Sequence, residues 1–166
     1  MNTTDPTNLR EQLITALRER LSKPLPTAAV ISFAIPMSPV DLVDWLSAQT
    51  LFPRLYWQAR ANPTCYGAIG SAITLDHDTT EKDQWSHIEA LTRDAPELAF
   101  FCGMRFDASQ EPDTEWDAFG NALFMLPRFV VEQDADGTRL RCNISVDGDS
   151  RPDALRQRLE AEIEML

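Results

Sequence analysis

Asp76-His77-Asp78 is the first place where residue types suggest chemistry, because some metal phosphohydrolases seat a cation on a His-Asp pair. His77 and His87 are the only histidines, so the further histidines that such a site needs are missing, and Asp78 serves better as a helix cap with Glu81 at the third position. Asp76 to Asp117 carries 12 carboxylates against Lys82, Arg93 and Arg105. Hard cations want gathered carboxylates, but these acids fall at caps, on an outer helix face and in the connection from Asp107 to Asp117. They read as solvated surface. Asp134-Ala135-Asp136-Gly137 opens like an EF-hand loop, yet no Asp or Asn stands at the fifth position and no Glu at the twelfth, so a hairpin turn is expected.

The remaining candidates have structural explanations. Gly67-Ala68-Ile69-Gly70 has the wrong spacing for a dinucleotide fingerprint and runs into strand-like sequence, so a bulge or a close backbone approach is expected. The two lysines, Lys23 and Lys82, are not on buried strands where desolvation could turn one into a base. Phe52, Tyr56, Trp57 and Tyr66 could line a pocket for a small ring, but aromatics on a hairpin more often pack on a sheet face. Arg54, Arg60 and Arg128 could grip a carboxylate ligand, although internal acids are abundant. Cys65, Cys102 and Cys142 are isolated and odd in number, which favours buried reduced thiols in the cytoplasm. By residue chemistry alone there is no catalytic constellation.

The elements that would position these residues can be read from periodicity. Leu9, Leu13, Leu17 and Leu21 mark one helix, with Asn8 and Glu11 as a capping arrangement and Pro24 and Pro26 as its stop. Thr27 to Ile35 reads as a buried strand, and Ser38-Pro39-Val40-Asp41 as a helix start capped by Ser38. Phe52 to Arg60 and Tyr66 to Leu75 form two strands turning at Asn62-Pro63. Trp85, Ile88 and Leu91 form the inner face of a third helix, and Leu98 to Phe106 a further strand. Ala122 to Glu132 and Thr138 to Val146 make a hairpin whose second strand alternates Leu140, Cys142, Ile144, Val146 with Arg139, Arg141, Asn143, Ser145, as a strand with one buried face does. A last helix, capped by Ser150, carries Leu155, Leu159, Ile163 and Leu166 up to the final residue.

At 166 residues the sequence suits one domain, or part of a larger one, with a real core. Charged residues at 25% and hydrophobic residues at 43% exclude wholesale disorder. Its net charge of −11 argues against a nucleic-acid or anionic-membrane binder, since both need a basic footprint. Met1 to Pro6 has no secretion-signal pattern, and no apolar run approaches the ~20 residues of a membrane helix.

Two segments carry a family resemblance. Phe52-Pro53-Arg54-Leu55-Tyr56-Trp57-Gln58, followed by Tyr66-Gly67-Ala68-Ile69-Gly70, resembles the FPxxYWQ…xGAIG hairpin near the start of isochorismate synthases. These chorismate-utilising enzymes serve menaquinone and siderophore pathways. Phe101-Cys102-Gly103-Met104-Arg105-Phe106-Asp107, then Trp116 and Leu123-Phe124-Met125-Leu126-Pro127-Arg128-Phe129, resembles the stretch that follows, with Glu132 near the family's acidic position. Order and spacing match the menaquinone-type enzyme best, from roughly Leu9 to Leu166.

The resemblance implies an α+β fold, mainly antiparallel sheet with flanking helices, like the first part of the αββα chorismate-utilising fold. Residues 1–166 would be a single N-terminal, non-catalytic part. The family enzyme uses Mg²⁺: a lysine-activated water attacks C2 of chorismate while a glutamic acid helps the C4 hydroxyl leave. Those residues belong to the C-terminal part of the family chain, so the resemblance assigns no catalytic, cofactor-binding or metal-binding residue here. The Leu-Leu-Glu-Ser motif of amino-acid feedback sites in related anthranilate synthases is also absent. The expected partners are chorismate for the full-length enzyme and the C-terminal part, packed on this chain and covering the apolar face of the last helix. Without it, the fragment is expected to self-associate. The alternatives are a freestanding binding or interaction module of the same architecture, and the N-terminal part of another chorismate enzyme such as a salicylate synthase.

Overall fold

The computed structural model describes residues 6–25, 29–61, 63–75, 81–93, 95–107 and 122–166. The Asp76-His77-Asp78 segment, Asn62, Trp116 and most of the acidic connection lie outside them. The chain divides into two compact units, one of Met1–Gly70 with Arg128–Leu166 and one of Ser71–Pro127.

In the first unit the expected leucine stripe forms one face of α1 (Pro6–Leu21), with Leu13 and Leu17 fully buried. The helix begins at Pro6, whose missing N–H costs nothing in a first turn. Asn8 therefore lies inside the helix, where its side-chain oxygen accepts a hydrogen bond from Gln12 Nε2 at 2.7 Å instead of capping. β1 (Ala29–Pro36) pairs antiparallel with β6 (Gly137–Val146), and β6 with β5 (Ala122–Asp134). β2 (Arg54–Gln58) pairs antiparallel with β3 (Cys65–Leu75). The strand order is β1-β6-β5-β3-β2.

The expected turn closes β5 onto β6. Gly137 takes φ +134°, and Asp134 Oδ1 accepts the backbone N–H of Asp136 at 2.9 Å and of Gly137 at 3.2 Å. This use of Gly at a positive φ is what a tight hairpin requires.

Two helix starts differ from expectation. In α2 (Leu42–Ala48) the cap is Asp41, not Ser38: Oδ1 of Asp41 accepts from Val43 N at 2.9 Å and Asp44 N at 3.0 Å. A carboxylate also meets the positive end of the helix dipole, which a hydroxyl cannot match. In α4 (Pro152–Glu164), Arg151 occupies the cap position without a side-chain bond. Ser150 is engaged upstream instead, donating to Asp147 Oδ1 at 2.7 Å.

The apolar stripe of α4 does not await missing sequence. Leu155, Leu159 and Ile163 are buried in one core with Leu13 and Leu17 of α1 and with Phe129, Val131, Leu140, Cys142 and Ile144 of the sheet. Each such fully buried aliphatic or aromatic side chain contributes about 1.5–3 kcal/mol relative to exposure. The C-terminal turn is also closed, by the backbone N–H of Met165 bonding Glu162 O and Ile163 O.

In the second unit, α3 (Glu81–Arg93) accompanies β4 (Phe101–Met104), which pairs with the first residues of β5, Phe101 opposite Met125 and Met104 opposite Ala122. Ile88, Ala122 and Phe124 form its core with Leu75 and Phe100 beside them. Trp85 does not sink into this core as expected. It remains partly exposed and meets the Phe124 ring edge-on at 4.8 Å, while neighbouring Gln84 is buried. Among the described residues no helix is long and apolar enough to cross a membrane.

Candidate functional site

Among the described residues a dense polar grouping lies on the β5–β6 hairpin. Register sets Glu132 opposite Arg139 and Val130 opposite Arg141, so both arginines share a face with Glu132. Arg139 Nε donates to Glu132 Oε2, and Arg141 Nε to Glu132 Oε1 at 2.7 Å. Arg139 also reaches Asp134 Oδ2 at 2.7 Å. From Arg141 the network continues through Ser32 Oγ at 3.0 Å to Asn143 Oδ1, 2.8 Å from that hydroxyl. Glu132 and Asn143 are buried.

The expected buried face of β6, Leu140, Cys142, Ile144 and Val146, is buried, and Arg139, Arg141 and Asn143 lie on the other. This face holds a paired, mostly sequestered charge network. The clue in the sequence was Glu132, an acid inside the apolar run of β5, where burial demands a cationic partner. The pairing holds the Arg139 guanidinium above its ordinary pKa, chiefly through its hydrogen bond to Glu132. Asp134 lies below the usual carboxylate range, first because Asp136 N–H donates to it.

Arg128 is a buried cation. Its Nη1 donates to Asn143 O at 2.6 Å, and its Nε lies 3.0 Å from Glu162 Oε2 as an ion pair, without the alignment of a hydrogen bond. Burial lowers the Arg128 pKa, opposed by the Glu162 charge. Nearby Cys142 is pushed up to about 12, mainly by burial, and so remains a neutral thiol.

The glycines explain how the two motif segments meet. Gly67 lies under α2, where a Cβ would sit 3.2 Å from Leu42 Cδ2 and 3.4 Å from the Trp45 ring. Gly70 takes φ +62°, and its Cβ would sit 3.2 Å from Arg128 Cβ. The last glycine of the GAIG segment thus touches the arginine of the LPR segment, which is the close approach expected of these glycines.

The other sequence candidates are not drawn together. Trp57 and Tyr66 form a tilted pair at 5.7 Å, while Phe52 and Tyr56 face solvent. Arg54 bonds Gln49 O and lies 4.3 Å over the Phe52 ring, so its partners are a carbonyl and an aromatic face, not an acid. Arg60 is exposed. Of the cysteines only Cys142 is buried as expected; Cys65 is half-buried and Cys102, on β4, is exposed. Among the described residues no three His, Cys, Asp or Glu side chains gather as metal ligands. Chemically, the arrangement locks a hairpin and a helix together. Both oxygens of Glu132 are held by guanidinium groups, which leaves it poorly placed to move a proton.

A sequence profile described as chorismate binding enzyme matches residues 15–166. The chain belongs to this chorismate binding enzyme family. Within the family it is 26% identical to isochorismate synthase 2, chloroplastic, of Arabidopsis thaliana over 87% of this chain and 30% of that protein. It is 28% identical to isochorismate synthase MenF of Pasteurella multocida over 65% of this chain and 20% of that protein. Its fold is similar to that of MenF, the menaquinone-specific isochorismate synthase from Escherichia coli, with a TM-score of 0.65 at 21% identity. That match covers 94% of this chain and 33% of the other. The family chain described here therefore spans a third or less of the relatives it matches. The expected α+β fold, an antiparallel sheet with flanking helices, stands.

Proposed function

We propose that this chain is the N-terminal, non-catalytic part of an isochorismate-synthase-type enzyme whose whole polypeptide converts chorismate to isochorismate. The reading rests on the match to isochorismate synthase 2, which uses 87% of this chain but only 30% of that relative. The residues that carry the likeness support it, because they pack and brace: Gly70 against Arg128, Arg128 against Glu162, and Glu132 between two arginines. The chemistry then belongs to the remaining part of such an enzyme, and the product of the whole is isochorismate for the menaquinone type.

The Mg²⁺ of the family enzyme does not fit the residues described here. The buried acid Glu132 is neutralised by Arg139 and Arg141, and no group of three candidate ligands forms among the described residues. No step of the reaction is therefore assigned to this part. In this reading the protein works in the cytoplasm, chorismate binds elsewhere on the whole enzyme, and the catalytic part packs on this one.

Reading the coding DNA past Leu166 tests this. An in-frame continuation containing a strand with a Lys-Val-Val-Leu-Ala-Arg-like run, which would bring the catalytic lysine region, is expected. A stop codon after Leu166 would overturn the proposal in favour of a freestanding module.

A further inference from the structure

We infer that the outer edge of β2 receives a short β-strand from the catalytic part of the same enzyme; this rests on the function proposed above. Among the described residues β2 is the last strand at its end of the sheet. Its register with β3 sets Arg54 opposite Ile69 and Gln58 opposite Cys65, so Pro53 faces Gly70 and Ala59 faces Thr64. Both flanking pairs are hydrogen-bonded, Gly70 N to Pro53 O at 2.9 Å and Ala59 N to Thr64 O at 3.0 Å. In an antiparallel pair, bonded positions alternate with unbonded ones. Leu55 and Trp57 therefore bond β3, and the backbone N–H and C=O groups of Arg54, Tyr56 and Gln58 point outward.

That edge lacks the usual protection. No lysine, proline or bulge interrupts Arg54–Gln58, although such devices normally keep edge strands from pairing. Exposed aromatics bracket it instead. Tyr56 lies on the face it shares with Gly67 and α2, Trp57 on the opposite face with Tyr66, and Phe52 just before the strand is 71% exposed. A pairing strand would gain backbone bonds from three residues and apolar cover from both faces.

The occupant follows from length and charge. The relatives are about three times as long as this chain, so a family polypeptide has ample sequence to supply the strand. A second copy is a poorer fit: each carries −11, and Arg54-Leu55-Tyr56-Trp57-Gln58 offers no acid to the Arg54 of its mate. The incoming strand should be about five residues long, apolar opposite Tyr56, with an acid near Arg54.

Amide hydrogen exchange read by NMR on the 166-residue chain and on the longer polypeptide encoded by the gene tests this. In the short chain the amides of Arg54, Tyr56 and Gln58 should exchange fast while those of Leu55 and Trp57 are protected. In the longer one all five should be protected, the outer three by at least about 10-fold more than before. Tyr56→Pro, which deletes an outward N–H, should reverse that protection at Arg54 and Gln58, and Tyr56→Lys should weaken it if the proline variant fails to fold. Fast outer amides in the longer polypeptide would overturn the inference while leaving the proposed function standing. Protected outer amides in the short chain, with a dimer mass by light scattering, would overturn it in favour of a second copy. A gene that stops at Leu166 would defeat function and inference together.

Discussion

The two ends of the sheet in the larger unit are finished differently. At one end, Met37 N bonds Thr138 O at 3.0 Å, and the β1–β6 register then turns Ile31, Phe33 and Ile35 toward β6. The outward positions are Val30, Ser32, Ala34 and Pro36, and Pro36 has no N–H to offer. Ile31 and Ile35 are buried in the core with α1 and α4, and Ser32 is held by Asn143 and Arg141. At the other end, β2 has five residues, four of them exposed. Both ends leave outward backbone groups; β1 carries Pro36 and sends its side chains into the core and a polar network, whereas β2 is bracketed by exposed aromatics. On the inference above, association falls at the β2 end, while the buried core and the polar network lie with β1, β6 and β5.

Substitutions should separate the two roles. The largest effect is expected in the core: Phe129→Ala, at a fully buried position of the central strand β5, should cost about 3–5 kcal/mol in urea unfolding. A loss below about 1 kcal/mol would mean that the core beneath α4 is not the source of stability. Next comes Glu132→Ala, which takes from Arg141 its carboxylate and leaves Arg139 with Asp134, and should cost about 3 kcal/mol. A double-mutant cycle with Arg141→Ala should show strong coupling; additive losses would dissolve the network. At the β2 end Trp57→Ser should cost less than about 1 kcal/mol, since this ring is half-exposed beside Tyr66 and outside the buried core. A loss as large as that of Phe129→Ala would erase the contrast.

The smallest effect is a pH dependence at the turns. Asp134 is lowered first by the Asp136 N–H and Asp147 first by the Ser150 hydroxyl. A carboxyl lowered in the folded state adds stability that is fully present above its unfolded pKa and is lost as pH falls through the folded one. Unfolding followed by fluorescence should therefore show stability falling as the pH drops below the ordinary carboxylate range, and Asp134→Asn should flatten that slope. An unchanged slope would show that the turn hydrogen bonds do not matter energetically.

Strand identity was legible because its signals are local. Leu140, Cys142, Ile144 and Val146 alternate as a buried face must, and Gly137 stands where the turn needs a positive φ. Cap positions were less legible because several residues nearby could serve. Asp41 displaced Ser38, and Ser150 was drawn to Asp147, choices set by geometry over a few ångströms. The polar network was the least legible part. Arg139 and Arg141 look like solvent-face residues until Glu132, nine positions before Arg141, is folded back across the hairpin. The family motifs gave the fold its context, and the structure gave them physical content in the contact of Gly70 with Arg128.

In the function proposed above, this chain supplies scaffold and not chemistry to a chorismate-utilising enzyme. Incubating the purified 166-residue chain with chorismate and Mg²⁺, beside the longer polypeptide from the same gene, tests it most directly. The short chain should leave chorismate unchanged while the longer one forms isochorismate. Turnover by the short chain alone would contradict the account.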